Sequence, residues 1–382
     1  MLRRLAAISL CLAIVLAAPE RGESTRRPKY GGTLRVEIGA IVNSLDPSAP
    51  AASAEEAFAK DEIDALLYER RNPDGTFAGV AGSGSFRIAE WEPGKRAVLQ
   101  ANEDFREGRP FVDSIEILMG RGARDRLLDL DLDRADVVEV PPEEARRASE
   151  RGARLSVSPP DELIALVFVP GRPVAEDAHA REALSRSIDR GAIVSFILQK
   201  EGEAAGGLLP QWSSGTAFLF STAVDTSTAK NLWAQIGGSP KIVLGYDASD
   251  LLEQTIAERI VVNVREAGGA VTLSAAKQGA ASDGVDIRFE RLRMPSPRPR
   301  ETLARFAAVL GPLASTNADP LPAGAMPQQI YDAERAIVST NRVVPLVWLP
   351  RVYGLSARVR DWKTPSPGEG WPFADVWLGD TQ

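Results

Sequence analysis

Two segments of the sequence place a serine and a lysine at the spacing that serine acyl-enzymes use. Ser227 and Lys230 are separated by two residues, and so are Ser274 and Lys277. This S-x-x-K pattern supplies a nucleophile with a nearby lysine, but the K-T-G segment that accompanies it in such enzymes is absent. Two matches to so short a pattern indicate chance. Exported serine hydrolysis at Ser227 is therefore kept only as an alternative, which labelling with an acylating probe would reveal.

The other side chains that could do acid–base or metal chemistry are poorly grouped. His179, the only histidine, lies in the first turn of a predicted helix, and a triad would need an acid and a nucleophile beside it. Asp129, Asp131 and Asp133 imitate the start of a calcium loop, but its sixth and twelfth positions lack the required glycine and glutamate. No glycine loop for a nucleotide is present. The sequence predicts no enzyme, no cofactor and no metal site.

Length, composition and charge narrow the class of protein. The 382 residues are enough for two domains with substantial cores. A content of 44% hydrophobic and 25% charged residues is typical of a soluble globular protein. The formal net charge of −7 argues against a nucleic-acid partner, which would require a basic surface.

The first residues have the pattern of a secretory signal peptide. Arg3 and Arg4 precede an uncharged apolar run over residues 5–18, and small or aliphatic residues favour cleavage after Ala17. A membrane anchor is the alternative, but the run is short for a bilayer. The only cysteine, Cys11, lies inside this run. We therefore expect residues 1–17 to be removed and a thiol-free protein to reach the periplasm or the cell exterior.

Hydrophobic patterns in the first half predict strands. Residues 33–38 alternate apolar and charged side chains. Residues 86–91 and 96–101 flank a Glu-Pro-Gly-Lys turn, and glycine at its third position fits a type II turn. Residues 163–169 are continuously apolar, which indicates a strand buried on both faces.

The second half alternates strands and helices. Asp177 is a good N-cap for a helix. Residues 241–246 read as a strand, residues 252–264 carry apolar side chains at helical spacing, and residues 270–274 read as another strand. This βαβ order predicts a parallel sheet covered by helices, and hence an α/β fold.

Three polar residues follow the first predicted strand. Asn43, Ser44 and Asp46 lie just beyond its carboxyl end, where α/β sheets place ligands. The same residue types also favour turns. Both interpretations are open, so the three are candidate ligand-binding residues.

Several segments in order along the chain resemble one family. They are residues 30–36 (YGGTLRV), 44–47 (SLDP), 82–95 (GSGSFRIAEWEPGK), 177–194 (DAHAREALSRSIDRGAIV) and 334–377. The chain resembles the dipeptide, oligopeptide and nickel class of extracellular solute-binding proteins of bacterial ABC transporters.

The resemblance implies a two-lobed α/β architecture of the periplasmic-binding-protein (Venus-flytrap) type with a discontinuous first lobe. Residues 30–168 and 345–382 would form lobe one, and residues 169–344 lobe two. A monomer would capture a small molecule or short peptide between the lobes. ABC permease subunits would be its partners and its only membrane contact. The alternative is a degenerate relative that acts as a sensor or interaction module.

The sequence also departs from the family. The segment between residues 47 and 82 is shorter than in relatives. Residues 291–300 (RLRMPSPRPR) replace a loop in which peptide-binding relatives carry an acid for the ligand's amine. Arg291 and Arg293 there suit a carboxylate or phosphate, unless they simply face solvent. Trp212, where relatives often face the cleft, is either a platform for the ligand or buried.

Overall fold

The computed structural model describes residues 27–46, 49–71, 77–80, 84–236, 240–276, 284–313 and 321–380. The expected signal peptide with Cys11, and also Pro47 and Lys277, lie outside the described residues. Up to the first crossing between lobes, the elements in chain order are β1 (Thr33–Glu37), α1 (Ala54–Leu66), β2 (Glu69–Arg71), β3 (Phe77–Val80), β4 (Phe86–Glu92), β5 (Arg96–Ala101), β6 (Ser114–Leu118), α2 (Ala123–Asp131), β7 (Val137–Val140), α3 (Pro142–Glu150) and β8 (Leu155–Val157).

The chain then builds a second unit and returns to the first. The second unit contains β9 (Glu162–Phe168), α4 (Pro173–Glu176), α5 (Ala178–Ser187), α6 (Arg190–Ala192) with a π-helical turn (Ile193–Ile197), β10 (Glu203–Ala204), α7 (Gln211–Ser214), a 3₁₀ turn (Ala217–Leu219), α8 (Thr226–Gln235), β11 (Lys241–Asp247), α9 (Leu251–Glu266), β12 (Ala270–Ala276), β13 (Ile287–Arg293), α10 (Pro299–Leu310), a 3₁₀ turn (Gly311–Leu313), α11 (Pro327–Val338) and β14 (Val343–Leu349). The returning tail forms β15 (Val352–Leu355), β16 (Val359–Arg360) and β17 (Trp377–Leu378).

The first lobe is built on a sheet in the order β4-β5-β6-β1-β7-β15-β8. Its centre is parallel, because β1 pairs with β6 and β7 in the same direction. The predicted β4–β5 hairpin is confirmed, and Gly94 at its turn has a φ of 70°. Trp371 and Phe373 of the tail are buried in the core of this lobe. The tail is therefore part of the first lobe, as a discontinuous lobe requires.

The second lobe is built on a sheet in the order β10-β14-β9-β13-β11-β12. β11 and β12 are parallel neighbours joined by α9, so the predicted βαβ unit is confirmed. Ile256, Ile260 and Val264 form the fully buried face of α9. Asp177 accepts hydrogen bonds from two backbone N–H groups at the start of α5, as expected of an N-cap.

Strand pairing moves both expected boundaries between the lobes. β9 and β14 pair with each other, and β9 also pairs with β13, so both strands belong to the second sheet. The chain therefore passes between the sheets at residues 158–161 and 350–351, and not at 168/169 and 344/345. The apolar runs identify these strands, but apolarity does not specify the sheet that a buried strand joins. Residues 345–349 thus pack with the second lobe, and the rest of the described tail packs with the first.

The two crossings lie side by side. The backbone N–H of Ser158 donates to the carbonyl of Arg351 at 2.9 Å, and that of Asp161 donates to the carbonyl of Leu349 at 3.0 Å. Only these two segments join the lobes covalently within the described chain. No helix in the described ranges is long and apolar enough to cross a membrane.

Candidate functional site

A cavity of about 730 Å³ lies between the two lobes. The first lobe lines it with α1, with the start of α2 and with the segments after β1 and β7. The second lobe contributes the end of β13, the π-helical turn and the segment between β11 and α9. The cavity therefore lies at the carboxyl ends of parallel strands from both sheets, where α/β folds bind ligands. Its volume is within the range of small-molecule sites.

Many charged side chains lie in the lining of this cavity, among apolar ones. Seven carboxylates and six arginines reach it, so the two signs nearly balance. The net charge of the lining therefore favours neither anionic nor cationic ligands. Selectivity must come from the groups that remain unpaired once the ion pairs within the cavity are made.

Arg291 is the centre of the largest group of ion pairs. Its side chain, 11% exposed, lies near the end of β13 and hydrogen-bonds to Glu162 at 2.6 Å and to Asp250 at 2.7 Å. It also contacts Glu55 of the first lobe at 3.4 Å. Burial disfavours the charged form of the guanidinium, but these carboxylates outweigh that effect and raise the pKa of Arg291 above its ordinary value. The guanidinium is therefore held charged and paired.

Arg293 makes a second contact across the cavity. It hydrogen-bonds to Glu162 at 3.1 Å and lies 3.7 Å from Glu62 of α1. Its guanidinium carbon is 4.0 Å from the ring centroid of Phe58, also in α1, which is a cation–π arrangement. Glu62 is shared with Arg351 of the second crossing, at 2.9 Å. Helix α1 thus carries the first lobe's contacts to β13.

Arg291 and Arg293 therefore line the cavity as the sequence analysis anticipated, but their setting differs. They are on a strand and not in a loop. Residues 291–300 contain no acid, but Glu162, Asp250 and Glu55 from other segments pair with Arg291. Their role in ligand binding stays a prediction.

The structure does not bring Asn43, Ser44 and Asp46 to the cavity. The backbone and side-chain N–H groups of Asn43 donate to Glu56 of α1. The hydroxyl of Ser44 accepts from the backbone N–H of Asp46, and the carbonyl of Asp46 accepts from Lys60. These contacts are turn chemistry that positions the start of α1.

Trp212 lies on α7 of the second lobe, outside the cavity lining. Its side chain is 39% exposed, and its indole N–H donates to the carbonyl of Pro160 in the first crossing at 2.8 Å. The structure thus places Trp212 against the connection between the lobes.

The residues considered for catalysis also lie outside the cavity lining. His179 is exposed at the start of α5, and the hydroxyl of Ser227 donates to Asp225, the N-cap of α8. Asp129 is paired with Arg121. No cluster of histidine, cysteine or acidic residues within the described ranges could hold a metal ion.

Arg126 is a cavity residue that the sequence analysis missed. It lies on α2, is 5% exposed and lines the cavity. Its Nε and Nη1 atoms are buried without a hydrogen-bond partner. The available signal was its position four residues before the apolar Leu130, which puts both residues on one face of the helix.

Two α/β lobes that enclose a cavity at the strand ends define a two-lobed binding protein. The sequence pattern described as "Bacterial extracellular solute-binding proteins, family 5 Middle" matches residues 44–304. The chain belongs to this family, as its motifs predicted.

Curated relatives include two peptide-binding proteins. The oligopeptide-binding protein AppA of Bacillus subtilis is 31% identical over 127 residues, which cover 32% of this chain and 23% of AppA. The probable D,D-dipeptide-binding periplasmic protein DdpA of Escherichia coli is 23% identical over 247 residues, which cover 63% of this chain and 44% of DdpA. The matched stretches thus span less than half the length of these relatives.

Solved structures share the fold. The periplasmic binding protein DppA of Helicobacter pylori, in complex with the peptide STSA, aligns with a TM-score of 0.72 at 13% identity. That alignment covers 92% of this chain and 98% of DppA. The substrate-binding protein CtaP of Listeria monocytogenes aligns with a TM-score of 0.69 at 15% identity, covering 92% of this chain and 100% of CtaP. These likenesses show the two-lobed architecture.

Proposed function

We propose that this protein captures a small solute of the peptide class between its lobes and delivers it to an ABC permease. The observation that carries the proposal is the cavity at the strand ends of both sheets, lined from both lobes. Membership of the solute-binding family supports it, and so do the peptide-binding names of AppA and DdpA. The role is binding without catalysis.

The proposed mechanism is closure of the lobes around the solute. The two adjacent crossings are a natural hinge, because rotation there need not disturb either sheet. The closed form would keep α1 of the first lobe against β13, as in the contacts described above, and shield the solute from water. The closed form would then present a surface made of both lobes to the permease.

We further propose that the protein works outside the cytoplasm after removal of residues 1–17. The charged start and short apolar run support export. N-terminal sequencing of protein isolated from the native host is expected to begin near Ala18. Intact Met1 on cytoplasmic protein would contradict export.

Titration calorimetry combined with small-angle X-ray scattering tests the function. The probes are di- to pentapeptides, nickel and small carboxylates. We expect micromolar binding of at least one probe and a smaller radius of gyration in the complex. A failure of every probe to bind would overturn the proposal. Binding without uptake by cells that carry the transporter genes would favour the sensor alternative.

A further inference from the structure

Arg126 differs from the other arginines around the cavity. Each of the other five makes an ion pair with a carboxylate of the chain, whereas Arg126 has no carboxylate within 4 Å among the described residues. The five pairs are Arg121 with Asp129, Arg147 with Glu144, Arg291 with Glu162, Arg293 with Glu162, and Arg351 with Asp161.

The fold makes space for this guanidinium. Gly39, in the segment after β1, lies against it so closely that a Cβ atom at position 39 would be 2.3 Å from Nη1 of Arg126. The backbone N–H of Gly39 donates to Glu139 at 3.1 Å, which fixes that segment. A side chain at position 39 would therefore push the guanidinium out of its present place.

A buried guanidinium without a partner is destabilising on its own. Burial lowers the pKa of Arg126, and more distant carboxylates, Glu139 foremost, oppose that effect without pairing with it. These carboxylates help to keep the guanidinium charged but leave its donors free. The described residues supply no carboxylate partner for this guanidinium, and because Arg126 lines the cavity, a solute held there is the available source of one. Pairing with a carboxylate is among the strongest interactions that a guanidinium makes.

We propose that Arg126 binds the carboxylate of the captured solute, an assignment that rests on the proposed function. A neighbouring acceptor adds to the site: Oε2 of Glu143, which also lines the cavity, is buried without a hydrogen-bond partner. Arg126 thus binds the anionic group, and Glu143 can accept a hydrogen bond from an N–H group of the same solute. Arg291 and Arg293, whose carboxylate partners are already in place, are not needed for this recognition.

Matched peptides test the assignment in the full-length protein. Alanine and glycine di- to pentapeptides are titrated calorimetrically as free acids and as C-terminal amides, with succinate and glutarate as non-peptide carboxylates. We expect the wild-type protein to bind the preferred free acid at least tenfold more tightly than its amide. Preference for succinate or glutarate over every peptide would identify a small organic acid as the source of the carboxylate.

Three variants test which arginine distinguishes the free acid from the amide. Arg126→Met is expected to bind acid and amide equally weakly, whereas Arg147→Gln, which alters a paired arginine of the same cavity, is expected to keep the ratio. Arg126→Met should melt at the wild-type temperature or above, because it removes an unpaired buried charge. Arg126→Lys keeps the charge and should retain part of the preference for the acid.

The outcomes separate this assignment from the proposed function. Equal binding of acids and amides by the wild-type protein overturns the carboxylate site and leaves solute binding intact. Retention of the preference by Arg126→Met also overturns it. Failure of every probe to bind the wild-type protein overturns the proposed function and this assignment with it.

Discussion

At the scale of single residues, the tertiary fold decides whether a buried arginine has ion-pair partners, as Arg291 and Arg126 show. The sequence places Arg291 correctly at the cavity, but its partner acids lie 41, 129 and 236 residues away along the chain. Such partners are brought together only by the tertiary fold, so the paired state of Arg291 was not predictable. The unpaired state of Arg126 was equally hidden, because an arginine is normally assumed to face solvent.

Replacement of Arg291 tests how strongly the cavity depends on its ion pairs. Arg291→Met would leave Glu162, which is 5% exposed, with one partner fewer. We expect the free energy of unfolding in urea to fall by about 3 kcal/mol, as when one member of a buried pair is removed. Arg288→Met on the same strand removes an exposed pair with Glu290 and is expected to change it by less than about 1 kcal/mol. Equal effects of the two substitutions would contradict a buried network.

At the scale of elements, local sequence patterns predicted most strands and helices, but not which strands pair with each other in each sheet. The β4–β5 hairpin, the β11–α9–β12 unit and the N-cap of α5 follow from turn chemistry, periodicity and capping, which act over a few residues. The assignment of β9 and β14 to the second sheet depends on pairing over long separations. Continuous apolar runs carry no register information for such pairing. That is why the predicted boundaries were displaced by several residues.

Glu334 gives helix α11 a measurable dependence on pH. It is fully buried, and its Oε1 accepts from the backbone N–H groups of Leu208 and Leu209, whereas Oε2 has no hydrogen-bond partner. Burial raises the pKa of Glu334 to about 7, although both N–H groups oppose that effect.

The unfolded chain has a glutamate pKa of about 4.3, so the folded state binds the extra proton between these values. Stability from this group is therefore greatest at low pH and falls as the pH rises from about 4.3 to about 7. In the wild-type protein, this group should lower the free energy of unfolding by about 3 kcal/mol between pH 4 and pH 8. We expect Glu334→Gln, measured by urea unfolding, to show no such decrease. A variant with the wild-type pH profile would show that Glu334 does not titrate in this range.

At the scale of the whole molecule, the first lobe contacts the second through α1. We define the interlobe contact as Glu55, Phe58 and Glu62 of α1 with Arg291 and Arg293 of β13. It consists of an ion pair at 3.4 Å, a second at 3.7 Å and the cation–π contact. Each is of a kind worth roughly 1 kcal/mol or less at a partly exposed site. Their sum is small enough for a hinge to open and close.

Weakening the interlobe contact is therefore expected to favour the open form without unfolding either lobe. The double variant Glu55→Gln and Phe58→Ala removes one ion pair and the ring beneath Arg293. A loss of about 1–2 kcal/mol would shift the ratio of closed to open molecules five- to thirtyfold. We expect the radius of gyration of the ligand-free variant, measured by small-angle X-ray scattering, to increase toward an open limit.

Two comparisons make that measurement decisive. Glu144→Gln alters an acid that also lines the cavity but pairs with Arg147 within the first lobe, so it should leave the radius of gyration unchanged. Raising the ionic strength should move the wild-type protein in the direction of the double variant, because screening weakens exposed pairs such as that of Glu55. If the double variant scatters like the wild-type protein at both salt concentrations, α1 does not hold the lobes together. Closure would then depend on the hinge at residues 158–161 and 350–351, on the captured solute and on other contacts between the lobes, such as Gly368 against Pro295.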